Sequence, residues 1–148
     1  MNIRKYSPVL ILVIIIGGIW VVGTADYNFV YLKPISQADA PSYMASCTQP
    51  DLQQFFKNPN SFYRQRIKVN GTIVDITENY FDGNTHILLN TRQTESYIEE
   101  ISISYVEKTH FVEGDNITAY GEGGGTVTYK LSNGKSITLP YLKAVYLQ

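Results

Sequence analysis

Arg66-Ile67-Lys68-Val69-Asn70-Gly71-Thr72-Ile73-Val74-Asp75-Ile76 reads as an extended strand. Ile67, Val69, Gly71 and Ile73 share one face of it, while Val74 and Ile76 fall on the other. A strand whose buried face switches partway along must bend, and Gly71 is where the backbone bends cheaply. Such a strand serves two sheets at once, as the opening strand of a small closed barrel does.

Downstream, Asp82-Gly83-Asn84 marks a turn within residues 78–84. A second strand over 85–91 places Ile87 and Leu89 inward. After a polar stretch, a third strand over 98–105 sets Ile101, Ile103 and Tyr105 against Ser102 and Ser104. The connector 107–114 carries Phe111 and Val112, apolar enough to plug the bottom of a barrel. A fourth strand over 115–121 alternates Ile117 and Ala119 with Thr118 and Tyr120. The glycine-rich run 121–125 is expected to break the sheet. Residues 126–131 and 135–139 flank Ser132-Asn133-Gly134, a hairpin signal. Pro140 should interrupt the ladder, and 141–147 closes the ring. Upstream, a short helix is expected over 48–57, capped by Thr48 or Gln49, with Pro50 in its first turn and Asp51 complementing the dipole. Leu52, Phe55 and Phe56 form its buried stripe, and Asn58-Pro59-Asn60 ends it.

The amino end has a different character. Residues 9–22 carry no charge, and counting from 6 to 25 gives about 20 residues, enough to cross a bilayer as a helix. Tyr6 and Trp20 lie towards the two ends, where interfacial aromatics go, and Arg4 and Lys5 assign the amino end to the cytoplasm. This places the rest of the chain on the outer side of a membrane. A cleaved secretory signal is the competing reading, since Gly23-Thr24-Ala25 is an acceptable small-x-small site. Both readings export the domain. Arg4-Lys5-Tyr6-Ser7-Pro8-Val9 before an apolar helix is also similar to the entry of archaeal pilin helices, which keeps a filament subunit in view. The expected organisation is an anchor at 1–25, a linker at 26–47 and a β domain at 48–148.

Composition narrows the chemistry. The 148-residue chain has 12 Lys+Arg against 13 Asp+Glu, a formal charge of −1. With Arg4 and Lys5 set aside the remainder is more acidic, which gives no cationic footprint for a phosphate backbone. A single cysteine, Cys47, forms no internal disulfide and no paired-cysteine metal site; a buried thiol and an intermolecular disulfide are its two readings. The 12 tyrosines suit half-buried barrel strands and wet binding faces.

Three features together define a resemblance: the paired Phe of the short helix, then Tyr63 and Arg66-Ile67-x-Val69-x-Gly71-x-Ile73, then Glu113-Gly114-Asp115-x-Ile117-x-Ala119-Tyr120-Gly121. In these the chain resembles the OB-fold, and specifically the exported, anticodon-binding-like OB domains found behind one membrane segment. The resemblance covers about residue 52 to the carboxyl end. It implies a mainly β protein with a five-stranded Greek-key barrel, preceded by the short helix and the transmembrane helix. Residues 106–114 leave little room for the helix that usually joins the third and fourth strands.

By that resemblance, ligands or partners meet the face of the second and third strands and the loops after the first and fourth. Tyr80, Phe81 and Asp82, with Glu78 and Asn79, would form one lip, and 121–126 the other. Arg64, Arg66 and Lys68 form a local basic strip. Asp75, Glu78 and Asp82 bring carboxylates near one loop but lack the spacing of a calcium loop. Asn70-Gly71-Thr72 and Asn116-Ile117-Thr118 are glycosylation sequons, both in expected strands. Exported haem chaperones share the anchored-OB plan but hold haem near the barrel's carboxyl end, where this chain has neither His nor Cys beyond His110. No catalytic triad, nucleophile motif or phosphate loop is present. The expectation is a binding module with no cofactor and no metal. It engages the bilayer through 6–25 and a protein partner or another copy of itself. The alternatives are a single-stranded nucleic-acid or small-ligand binder and a pilin-like filament subunit.

Overall fold

The computed structural model describes residues 10–16, 19–25, 32–79, 83–93 and 98–148. Its elements are β1 (Leu10–Ile16), β2 (Ile19–Ala25), α1 (Ala40–Ser46), α2 (Leu52–Lys57), a 3-10 turn (Pro59–Phe62), β3 (Arg66–Glu78), β4 (Thr85–Gln93), β5 (Ile98–Tyr105), β6 (Asn116–Lys130) and β7 (Ser136–Leu147). The chain divides into two compact units. One comprises Tyr31–Val127 with Leu139–Gln148, and the other Met1–Val30 with Thr128–Thr138.

The larger unit is a mainly β, five-stranded sheet closed into a ring. β3 pairs with β6 over its first half, from Arg66↔Glu122 to Thr72↔Asn116. It pairs with β4 over its second half, from Thr72↔Asn90 to Glu78↔Thr85. β4 and β5 are antiparallel, β5 and β7 run parallel through Ser102↔Tyr141 to Ser104↔Lys143, and β7 pairs with β6 to close the ring. The opening strand thus bends between two partners, as its pattern requires. The register shift lies between Ile73 and Asp75 rather than at the glycine. Gly71 has a different role: a methyl there would strike the backbone carbonyl of Asn90, so its bare Cα lets β4 cross closely. Beyond the shift, Ile76 packs against the core that Ile67, Val69 and Ile73 enter from before it.

The core fills the ring with Ile87 and Leu89 of β4, Ile101 and Ile103 of β5, Ile117 and Ala119 of β6, and Leu142 and Ala144 of β7. Each of the larger aliphatic side chains contributes about 1.5–3 kcal/mol by leaving water. Phe55 of α2 is fully buried and packs edge-on against Phe56 and Phe62, so the helix and the 3-10 turn together cover one end. α2 starts later than the sequence suggests. Asp51 is its cap, accepting from the Gln53 and Gln54 amides at 2.9 and 3.2 Å. Thr48 cannot serve, because its backbone bridges β3 at Ile67, donating to Arg66 O and accepting from Lys68 N.

Four further expectations are corrected. The glycine run does not break the sheet: β6 continues from Asn116 to Lys130, because here glycine answers crowding rather than flexibility. A methyl on Gly121 would meet the Lys143 carbonyl, one on Gly123 the Phe62 carbonyl, and one on Gly124 the Tyr141 ring. β7 likewise runs through Pro140, and its parallel pairing with β5 begins one residue later at Tyr141. Of the two expected plugs, Phe111 packs against the core, but Val112 is 59 % exposed. The second half of the expected linker is folded onto the barrel: α1 lies within it, Ile35 N donates to Val145 O at 3.1 Å, and Ala40 and Cys47 are buried.

In the smaller unit, β1 and β2 pair antiparallel from Leu10↔Ala25 to Ile16↔Ile19, and Thr24 pairs with Lys130 of β6. Where the apolar run predicts a helix, the structure has two strands, with Trp20 paired to Ile15. The residues explain this: both strands are dense in β-branched Ile and Val, and the intervening dipeptide is Gly17-Gly18, which lies outside the described residues, as does Tyr6. No helix among the described residues is long and apolar enough to cross a membrane. Within the same unit the β6–β7 turn closes as expected, with Leu131 N to Lys135 O at 2.7 Å, Gly134 at φ +82°, and Thr128 and Thr138 hydroxyls 2.8 Å apart.

Candidate functional site

The approach to β3 gathers cations around tyrosines. Tyr63 forms a parallel bridge with Gly123 of β6, flanked by Arg64 N to Gly123 O at 2.9 Å and Gly123 N to Gln65 O at 3.0 Å. The bridge requires a sharp turn, and Arg64 takes it in the left-handed region, at φ 63°. For a residue with a Cβ that conformation costs on the order of 1 kcal/mol. The pinned backbone on either side maintains it. The turn lays the Arg64 guanidinium over the Tyr63 ring, 5.5 Å from its centroid. From β7 the Lys143 ammonium reaches the same ring at 5.6 Å, its stem buried. Tyr63 itself is 52 % exposed.

The basic strip therefore divides. Arg64 sits in the turn, and only Arg66 and Lys68 share the outward face of β3. Arg66 lies 4.8 Å over the Tyr43 ring of α1, donates through Nη1 to Ser46 Oγ at 3.1 Å, and stands opposite Glu122. Lys68 is half-buried opposite Tyr120, whose ring lies 6.2 Å from that of Tyr146. Burial is the main reason the Tyr43 phenol is pushed up to about 12; Cys47 and Glu122 add to this and Arg66 opposes it. Burial likewise raises the Cys47 thiol, against the pull of Arg66, a backbone hydrogen bond with Gly121, Lys68 and Ser46. An exposed ring with cations on two sides offers stacking area and a positive rim, each cation–ring contact contributing about 0.5–1 kcal/mol at an exposed position. The arrangement suits recognition of carboxylate and apolar groups together.

The other expected surfaces fare differently. Tyr80, Phe81 and Asp82 lie outside the described residues. The opposite lip, at 121–126, is largely packed against Phe62, Asn60 and Tyr141. On the outward face of β4 and β5, His86, Leu88, Ser102 and Ser104 are all buried, and Ser104 Oγ is 2.5 Å from the Tyr141 hydroxyl. That face is therefore not a free surface. Asp75 is raised by burial first and Glu113 second, with a Thr77 hydrogen bond opposing. Among the described residues no three His, Cys, Asp or Glu side chains gather as a metal site.

The two sequons are cross-strand neighbours: Asn70 faces Thr118 and Thr72 faces Asn116, with Thr72 Oγ1 donating to Asn116 Oδ1 at 2.7 Å. Both asparagines are exposed. Sequence reasoning missed Tyr63 as a site residue, although the Tyr63-Arg64 pair adjoining the basic strip was a usable signal. It missed Lys143 because nothing local links that residue to position 63. Tyr43 and Ser46 were hidden in the expected linker. The class defined by this fold is a small closed β-barrel with a helix-capped end and a cation–tyrosine corner. No protein-family model matches the chain, and no curated protein is significantly similar to it.

Proposed function

We propose that the chain is a binding module of OB type, held on the outer side of a membrane by its apolar amino-terminal stretch, that engages a protein partner rather than catalysing a reaction. The strand order supports the OB reading. The opening strand contacts the second and fourth, and the third runs parallel to the fifth, as a Greek-key barrel of this type requires. The observation that carries the partner reading is Tyr63, half-exposed between Arg64 and Lys143, since Tyr and Arg are the residues that most often anchor protein interfaces. The burial of the β4–β5 face supports this corner over that face as the contact surface.

A partner with a carboxylate beside an apolar side chain fits it. Single-stranded nucleic acid is the alternative, because the same corner could stack bases; the acidic balance of the chain argues against it. The anchor reading requires the apolar stretch to become helical on insertion, since an isolated hairpin leaves edge amides and carbonyls unpaired in hydrocarbon.

The test is affinity capture from native membranes with the full chain and with Tyr63→Ala and Arg64→Ala. The expected result is a membrane-extracted complex that both substitutions disperse while the barrel keeps its melting temperature. Capture that neither substitution alters, or a lone monomer in mild detergent, overturns the reading. Binding of a single-stranded oligonucleotide with a steep salt dependence replaces it with the alternative.

A further inference from the structure

The geometry points to a saccharide-binding groove at the side of the barrel where the β5–β6 connector meets the end of β7. The groove has a volume of about 390 Å³, and its walls are Gln37, Tyr105, Lys108, His110, Phe111 and Tyr146. That volume falls in the range of small-molecule sites. The connector is held in place from three directions. Thr85 Oγ1 donates to Glu107 O at 2.6 Å, Thr109 N donates to Glu78 Oε1 at 3.2 Å, and Phe111 packs against the core. The His110 and Phe111 rings lie 4.3 Å apart at 33°, a near-stacked pair at the groove wall.

The chemical class follows from elimination. Four walls are rings, so the ligand presents a flat or C–H-rich face. Lys108 disfavours a cation. The carboxylates of Glu107, hydrogen-bonded to the Tyr105 phenol, and Glu78, bound to the connector backbone, disfavour a strong anion. A purely apolar ligand would strip water from Lys108 and from the Tyr146 hydroxyl, which donates to Gln37 Oε1 at 3.4 Å. A neutral ring carrying many hydroxyls meets all three constraints. Its C–H face stacks on Tyr and Phe, and its hydroxyls match the mixed set of amide, phenol and ammonium groups in the groove wall. This inference is independent of the Tyr63 corner.

The test is titration of the isotope-labelled full chain with maltose, cellobiose and N,N′-diacetylchitobiose, with benzoate and tetramethylammonium in parallel, read by amide chemical shifts. At least one disaccharide is expected to shift the signals of 105–111 and 146–147 with millimolar affinity. Lys108→Met and Tyr146→Phe, which keep the stem and the ring, should each weaken it by about threefold to tenfold, the loss of one hydrogen bond. Tyr63→Ala should leave it unchanged. Silence from all three disaccharides, tighter binding of benzoate or tetramethylammonium at the same signals, or loss of binding in Tyr63→Ala overturns the proposal.

Discussion

Tyr43 and Asp75 show how one side chain records its surroundings. The Tyr43 phenol, pushed up to about 12 chiefly by burial, holds its proton more tightly in the folded chain than in the unfolded one. The stability this represents is complete below pH 10 and is lost as pH rises towards 12. Ultraviolet titration should therefore find one tyrosine ionising about two units late, and Tyr43→Phe should remove it together with part of the alkaline loss of stability. Asp75 is also raised, by burial and then by Glu113, so its stabilising contribution exists only when it is protonated and disappears as pH rises through its raised value. At neutral pH its charge is a cost. Asp75→Asn, which retains an acceptor for the Thr77 hydroxyl 3.5 Å away, should raise the melting temperature at pH 7 and lose that advantage on acidification below the usual carboxylate range.

At the scale of the element, β6 is the instructive strand. The residues from Gly121 to Gly125 that read as a break belong to one continuous strand, and the missing side chains of its glycines admit β7, the 3-10 turn and a tyrosine ring. Gly121→Ala should destabilise the barrel by about 1–3 kcal/mol, the range for a side chain forced into a filled space. Gly83→Ala in the turn before β4 meets no atom of the described residues within 4 Å, so it should show only the strain of a positive φ. Comparing the two urea midpoints separates crowding from conformational strain. Were the glycines a mobile loop, the order of the two effects would reverse.

At the scale of the whole molecule, a segment that looks like a tether is packed into the larger unit. Residues 32–47 donate a backbone hydrogen bond to β7 through Ile35, cover Arg66 with Tyr43 and bury Cys47. A chain beginning at residue 48 should melt below one beginning at residue 32. A loss of about 2 kcal/mol corresponds to roughly 8–16 °C for a domain of this size. In the shorter chain Cys47 is absent; in the longer one it should react with a thiol reagent only on unfolding. Equal melting temperatures would mean that the segment rests on the barrel without supporting it.

The amino-acid order alone determined the alternation of Ile67, Val69 and Ile73, the need for a bend before Ile76, the inward residues of β4 and β5, and the turn at Ser132-Asn133-Gly134. These are local consequences of a period of two and of turn chemistry, and they suffice for a closed β ring. Tertiary structure alone decided the rest. Gly121, Gly123 and Gly124 read as a break until their neighbours are known, because space filling is set by residues distant in the chain. Leu10–Ile16 and Ile19–Ala25 read as one long apolar helix and are paired strands, since a continuous apolar run carries no period that separates the two. The corner at Tyr63 exists because Gly123 pins its backbone and Lys143 arrives from β7, contacts between residues far apart in the chain on strands that only ring closure brings together.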